Sequence, residues 1–220
     1  MIISQQKPFE EIVHILGKKK RVFIIGCGLC ATLCQSGGEE QVKEMKERLI
    51  AEGKEISGHV VIEAVCHILV SKKALALHKA ELKESEAILV MACGAGVQTI
   101  TELKKTMVVA ALDTLFVGNV IRFGQFEERC SLCGDCILNK TGGICPVTSC
   151  AKGLLNGPCG GMHDGKCEID PERDCAWVKI YEKLEESGEL ENIEEIFDPK
   201  DYSRTIQPKM LILEKGKKRL

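Results

Sequence analysis

Thirteen cysteines in a chain of 220 residues constrain this sequence more than any other feature. Most stand beside glycine, proline or aspartate, so packing as small hydrophobes does not account for them. The start, "MIISQQKPFEEIV", lacks a basic stretch leading into an apolar one. No secretory signal is therefore expected, and the compartment is read as cytoplasmic. In a reducing cytosol a disulfide framework is disfavoured, and the odd count argues the same way. Thiolates gathered for metal are the reading that follows.

From Arg21 to about Gly118 the pattern alternates strand and helix. "RVFIIG", "HVVIEAV", "AILVMA" and "MVVAAL" are short Val- and Ile-rich runs suited to strands buried on both faces. Between the first two, "GGEEQVKEMKERLIAEG" places Val42, Met45 and Leu49 on one helical face. Glu39 and Glu40 favour its N-terminus, and Gly53 ends it. A second helix fits "KKALALHKAELKES". The fold class expected is α/β, a small doubly wound, flavodoxin-like parallel sheet over residues 1–126. It is followed by a cysteine-rich, ferredoxin-like metal-binding domain over 127–180 and a helical and extended docking tail over 181–220.

The loop "VFIIGCGLCATLC" can be read two ways. Gly26, Gly28 and Ala31 meet the dinucleotide-binding spacing after a strand, where bare backbone approaches a pyrophosphate. Cys27, Cys30 and Cys34 interrupt that loop, and thiolates repel phosphate. In a doubly wound sheet the first parallel strand is flanked by the next two, and ligands bind beyond their C-terminal ends. Cys27 and Cys30 follow the first strand, Cys66 ends the second and Cys93 ends the third. Sulfurs from Cys27, Cys30, Cys66 and Cys93 should converge on one crevice, with Cys34 a helical turn beyond Cys30. The metal reading is preferred, and the tight spacing favours iron–sulfur over zinc.

From Cys130 to Cys175 the chain holds eight cysteines, many glycines and little apolar periodicity. Such a segment needs metal in place of a conventional core. Cys130-x2-Cys133-x2-Cys136 is the run that begins a bacterial ferredoxin loop. Cys145 (before a proline), Cys150, Cys159, Cys167 and Cys175 follow. Eight thiolates suffice for two four-ligand sites, with the pairing open. Two zinc knuckles are the bland alternative. "CAWVKIYEKLEES" then places Trp177, Ile180, Tyr181 and Leu184 on one helical side.

The stretch "TGGICPVTSCAKGLLNGPCGGMHDGKCEIDPERDCAW" resembles the family described as the C-terminal domain of methylenetetrahydrofolate reductase. "CSLCGDC", "MACGAG" and "GCGLCATLC" extend the likeness over roughly Arg21 to Leu184. In many anaerobes that family is a separate small subunit partnering the flavin-bearing reductase barrel. The resemblance implies an iron–sulfur subunit that carries electrons to the partner's flavin for reduction of methylene- to methyl-tetrahydrofolate. It implies [4Fe–4S] clusters, one in the α/β domain and up to two in the cysteine-rich domain, with zinc at one site in some members. Flavin is expected in the partner and not in this chain, and further electron-transfer subunits are possible partners. The chain alone should lack a complete active site.

Two rival readings stay open. One is a nucleotide-dependent oxidoreductase using Gly26, Gly28 and Ala31; the other is a zinc-stabilised scaffold without redox work. The five histidines form no i, i+4 pair, and only His67, beside Cys66, is worth keeping as a ligand. A formal net charge of −2 gives no reason to expect nucleic acid or an anionic membrane. No apolar run approaches the ~20 residues that cross a bilayer. Residues 182–201 carry nine acidic against two basic residues, and residues 202–220 six basic against one acidic. Within the latter, Met210 to Leu213 form an apolar strip suited to a partner subunit.

Overall fold

In the computed structural model, which describes residues 1–212, the chain opens with β1 (Ile2–Gln6) and α1 (Phe9–Leu16). The first parallel strand is β2 (Arg21–Cys27), followed by the single turn α2 (Cys30–Leu33) and by α3 (Glu39–Ala51). Next come β3 (Glu55–Ile62), α4 (Ile68–Leu77), α5 (Lys79–Glu84), β4 (Ala87–Met91), α6 (Gly94–Leu103) and β5 (Met107–Ala110). The long strand β6 (Leu112–Arg122) and then β7 (Gln125–Cys130) complete the series. Two compact units result, Met1–Glu128 and one that begins at Arg129.

The first unit is mixed α/β around a four-stranded parallel sheet in the order β3-β2-β4-β5. The first parallel strand is thus flanked by the second and third, the order anticipated. Every residue of β4 and all but Arg21 of β2 are buried, as helices on both faces require. The α3 face buries Val42, Met45 and Leu49, and Gly53 takes a φ of +78° just past its end.

Several expectations need correction. A second sheet, β1-β6-β7, was not anticipated; β1 pairs antiparallel with β6, from Ile2 opposite Val117 to Gln6 opposite Leu112. The second parallel strand starts at Glu55 and stops at Ile62, so Cys66 lies in the turn after it. As an edge strand, β3 is only half-buried along most of its length, which blurs its signal in the sequence. The single helix expected over "KKALALHKAELKES" breaks at His78 into α4 and α5.

The second unit contains little regular structure. A 3₁₀ turn at Leu138–Lys140, the four-residue α7 (Pro146–Ser149) and α8 (Ala176–Ser187) are followed by two more 3₁₀ turns, at Leu190–Glu194 and Tyr202–Thr205. Trp177, Ile180 and Leu184 of α8 are buried together, whereas Tyr181, expected on that side, is 42% exposed. Gly157 lies flat against the Trp177 ring: a Cβ there would stand 2.4 Å from the indole. The Trp177 Nε1–H donates to the Leu154 carbonyl at 3.1 Å, so the "NGPCGG" loop is anchored on α8. Beyond α8 the chain returns across the cysteine loops. The Asn156 side chain holds Phe197 by two hydrogen bonds, 2.9 Å to its carbonyl and 2.8 Å from its amide.

Candidate metal centres

Within the first unit, four thiols gather at the C-terminal ends of adjacent strands. Cys27 is the last residue of β2, Cys30 the first of α2, Cys66 sits in the turn after β3, and Cys93 precedes α6. Partial burial pushes the Cys66 thiol up, and the neighbouring Cys93, Cys27 and Cys30 sulfurs push it further. Cys66 thus feels the other three sulfurs, and a cation beside it would act in the opposite sense. Cys34 points elsewhere. It is 8% exposed, its Sγ lies 3.6 Å from the Ile2 carbonyl, and burial above all, with the Cys30 sulfur adding to it, raises its thiol. It is the odd member of the five.

The glycines of this loop serve the fold. A Cβ at Gly26 would stand 2.6 Å from Val42 Cγ2 and 2.7 Å from the Gly37 carbonyl, and one at Gly28 would stand 3.2 Å from Glu63 Cα. The amides are engaged too: Cys27 N–H donates to Gly37 O at 2.9 Å and Gly28 N–H to Ile62 O at 2.8 Å. A phosphate cradle needs free amides at a helix start, and α2 spans one turn. Nothing in the loop favours the nucleotide reading.

The eight remaining cysteines separate into two sets of four. Cys130, Cys133, Cys136 and Cys145 line a cavity of about 670 Å³. Cys150, Cys159, Cys167 and Cys175 line a second of about 20 Å³. The division follows chain order. Short loops with left-handed positions, such as Gly134 at φ +77°, let the first three sulfurs turn toward a common space. Among the described residues no three His, Cys, Asp or Glu side chains already form a closed ion-binding group.

The two cavities differ in charge as well as size. The wider one is also lined by Arg129, Lys200, Arg204 and Lys209, with Asp135 the acidic side chain. Burial pushes the Cys133 thiol up, but a backbone hydrogen bond with Asp135, the nearby Lys200 and Ser131 outweigh it and hold it below the ordinary value. The Leu132 amide donates to Cys130 Sγ at 3.3 Å. Four thiols in a roomy, basic cavity fit a multi-atom anionic iron–sulfur cluster. The narrower cavity has Lys152, Glu168 and Asp174 among its lining residues, and Lys152 ion-pairs with Glu168. The Gly161 backbone and then Lys152 lower the Cys159 thiol. Its volume is about that of one water-sized particle, which fits a single ion better than a cluster.

Lys200, Arg204 and Glu168 carry no recognisable motif and were missed by sequence reasoning. His67 precedes α4, exposed. The docking strip is solvent-facing, with Met210, Leu211 and Ile212 at 85, 80 and 74% exposure; Leu213 lies outside the described residues. Among the described residues, no helix is long and apolar enough to cross a membrane.

Comparison with known proteins bears on the second half of the chain. No curated protein and no solved structure matches it. Residues 109–203 match the family described as "Methylene-tetrahydrofolate reductase C terminal". That match takes in all eight cysteines from Cys130 to Cys175 and the segment carrying Lys200, but none of the five N-terminal cysteines, so the chain is similar to a reductase-related family over this region.

Proposed function

We propose that this chain is an iron–sulfur electron-transfer subunit serving a flavin-bearing methylenetetrahydrofolate reductase subunit. The observation that carries this reading is the sorting of eight cysteines into two sets of four within the residues that match the reductase family. When bound, iron–sulfur clusters supply one-electron carriers, and a flavin in the partner would combine two such electrons into a hydride equivalent. Cys130, Cys133, Cys136 and Cys145 would hold one cluster. Hydrogen bonds to their sulfurs and the basic lining stabilise the added charge of the reduced state.

Cys150, Cys159, Cys167 and Cys175 would hold the second group. Its cavity of about 20 Å³ favours zinc there as a second reading. Cys27, Cys30, Cys66 and Cys93 would bind the third, with Cys34 spared. The exposed Met210–Ile212 strip and the basic residues around it would dock the partner, bringing a cluster within electron-transfer range of its flavin.

Anaerobic purification with metal analysis and dithionite reduction tests the reading. Brown protein whose absorption at ~400 nm bleaches on reduction, and which then reduces a flavin-loaded reductase subunit, is the expected result. Colourless protein with zinc at every site would leave only the scaffold role.

A further inference from the structure

The wide four-cysteine cavity has one wall built from a distant part of the chain. Lys200 is 8% exposed, and its ammonium donates to the Asp135 carbonyl, inside the Cys133-x2-Cys136 loop. Its partner there is a carbonyl, and among the described residues no carboxylate is paired with it. A buried ammonium is costly unless an anion answers it. Asp135 does not serve, because its carboxylate faces Arg204 at 3.8 Å. The same wall adds Arg204 and Lys209, and a Cβ at Gly134 would stand only 3.0 Å from Arg204 Cβ. Positive charge is thus packed closely against the first three cysteines.

We infer that Lys200 is a positioning residue that raises the reduction potential of the cluster bound by Cys130, Cys133, Cys136 and Cys145, an inference resting on the cluster reading above. Reduction adds one electron and therefore one negative charge to that cluster. A fixed buried cation stabilises the reduced form more than the oxidised form, so the couple moves to higher potential. Its bond to the Asp135 carbonyl keeps the ammonium beside the cysteine loop instead of in solvent.

The test is an anaerobic redox titration of the full-length, iron-loaded protein, followed by electron paramagnetic resonance. In Lys200→Met, one reduction wave should move down. At a fixed potential its reduced-to-oxidised ratio should fall about tenfold, which is ~59 mV for a one-electron couple. Other waves should stay in place, and Lys200→Arg should restore most of the shift. A Lys200→Met protein with full iron content and an unmoved wave would overturn the inference while leaving the electron-transfer reading intact. If Lys200→Met fails to retain iron, Arg204→Gln decides. Arg204 is exposed and lines the same cavity, so its wave should move down by less than tenfold, and an unmoved wave counts against tuning by this wall. Wild-type protein without any reducible iron sinks both the inference and the function on which it rests.

Discussion

The α/β unit gathers twenty-five buried residues into one continuous core, from Ile12 to Leu112. The second unit gathers three, Trp177, Ile180 and Leu184, with Ile144, Cys150, Cys175, Leu190 and Ile193 packed around them. At ~25 cal/mol per Å² of apolar area, the first core offsets the conformational entropy of its own backbone. Three side chains cannot do that for the loops from Cys130 to Cys175. Metal ligation is the natural replacement, because binding free energy becomes folding free energy when no site exists in the unfolded chain. One region is held by burial, and in our proposal the other is held by coordination.

The sharpest way to break that contrast is to remove the metal. Protein prepared without iron or zinc should lose hydrogen-exchange protection throughout residues 130–187 and keep it in β2 and β4. Equal protection in both preparations would mean that the three-residue core suffices.

A single ligand should give a smaller version of the same effect. Cys133→Ser should lose one metal centre and make the Cys130–Cys145 loops protease-sensitive, with the melting of the α/β unit unchanged. Retained metal in that variant would remove Cys133 from the ligand set.

The reciprocal change is Leu89→Ala, at a fully buried position of β4. Cavity formation should cost the α/β unit about 2–5 kcal/mol in denaturant unfolding, without loss of metal from the second unit. Coupled loss of metal from the second unit would show that the two units do not stabilise themselves separately.

The smallest effect concerns an exposed ion pair. Glu86 accepts from the Lys20 amide at 2.6 Å and from the Arg21 amide at 3.4 Å, and it pairs with the Arg21 guanidinium at 3.1 Å. The Lys20 amide above all, then the Arg21 amide, lowers its carboxyl below the ordinary 4.5. Its contribution is therefore complete above that value and is lost as pH falls through the depressed folded one. Glu86→Gln should melt slightly earlier at neutral pH and match the wild type in strong acid, with metal content unaffected. A difference that grows on acidification would reverse the sign of the argument.

Where burial is two-sided, the sequence was readable. "VFII" and "AILV" announce β2 and β4 because neither face meets water, and the strand order followed from helices alternating with them. β1 was not readable, because "IISQQ" is short and half polar. Its partner β6 lies more than a hundred residues away, and a buried Ser4–Ser36 hydroxyl pair at 3.0 Å helps fix it. That Cys27, Cys30 and Cys93 would stand at or just after strand ends was legible from strand topology, which local patterns supply. The sorting of the last eight cysteines was not, since irregular loops have no period to count. Lys200 was invisible for the same reason: an isolated lysine in "FDPKDY" gives no sign that it will be buried beside Cys133.

The return of the chain after α8 also sets an order of assembly. The loops carrying Cys130 to Cys145 emerge from the ribosome dozens of residues before Lys200, and Asn156 has to wait for Phe197 before it makes its two bonds. Until then the wide cavity lacks one wall. In the cluster reading proposed above, iron and sulfide would enter through that gap during synthesis, before residues 195–204 arrive to complete the wall.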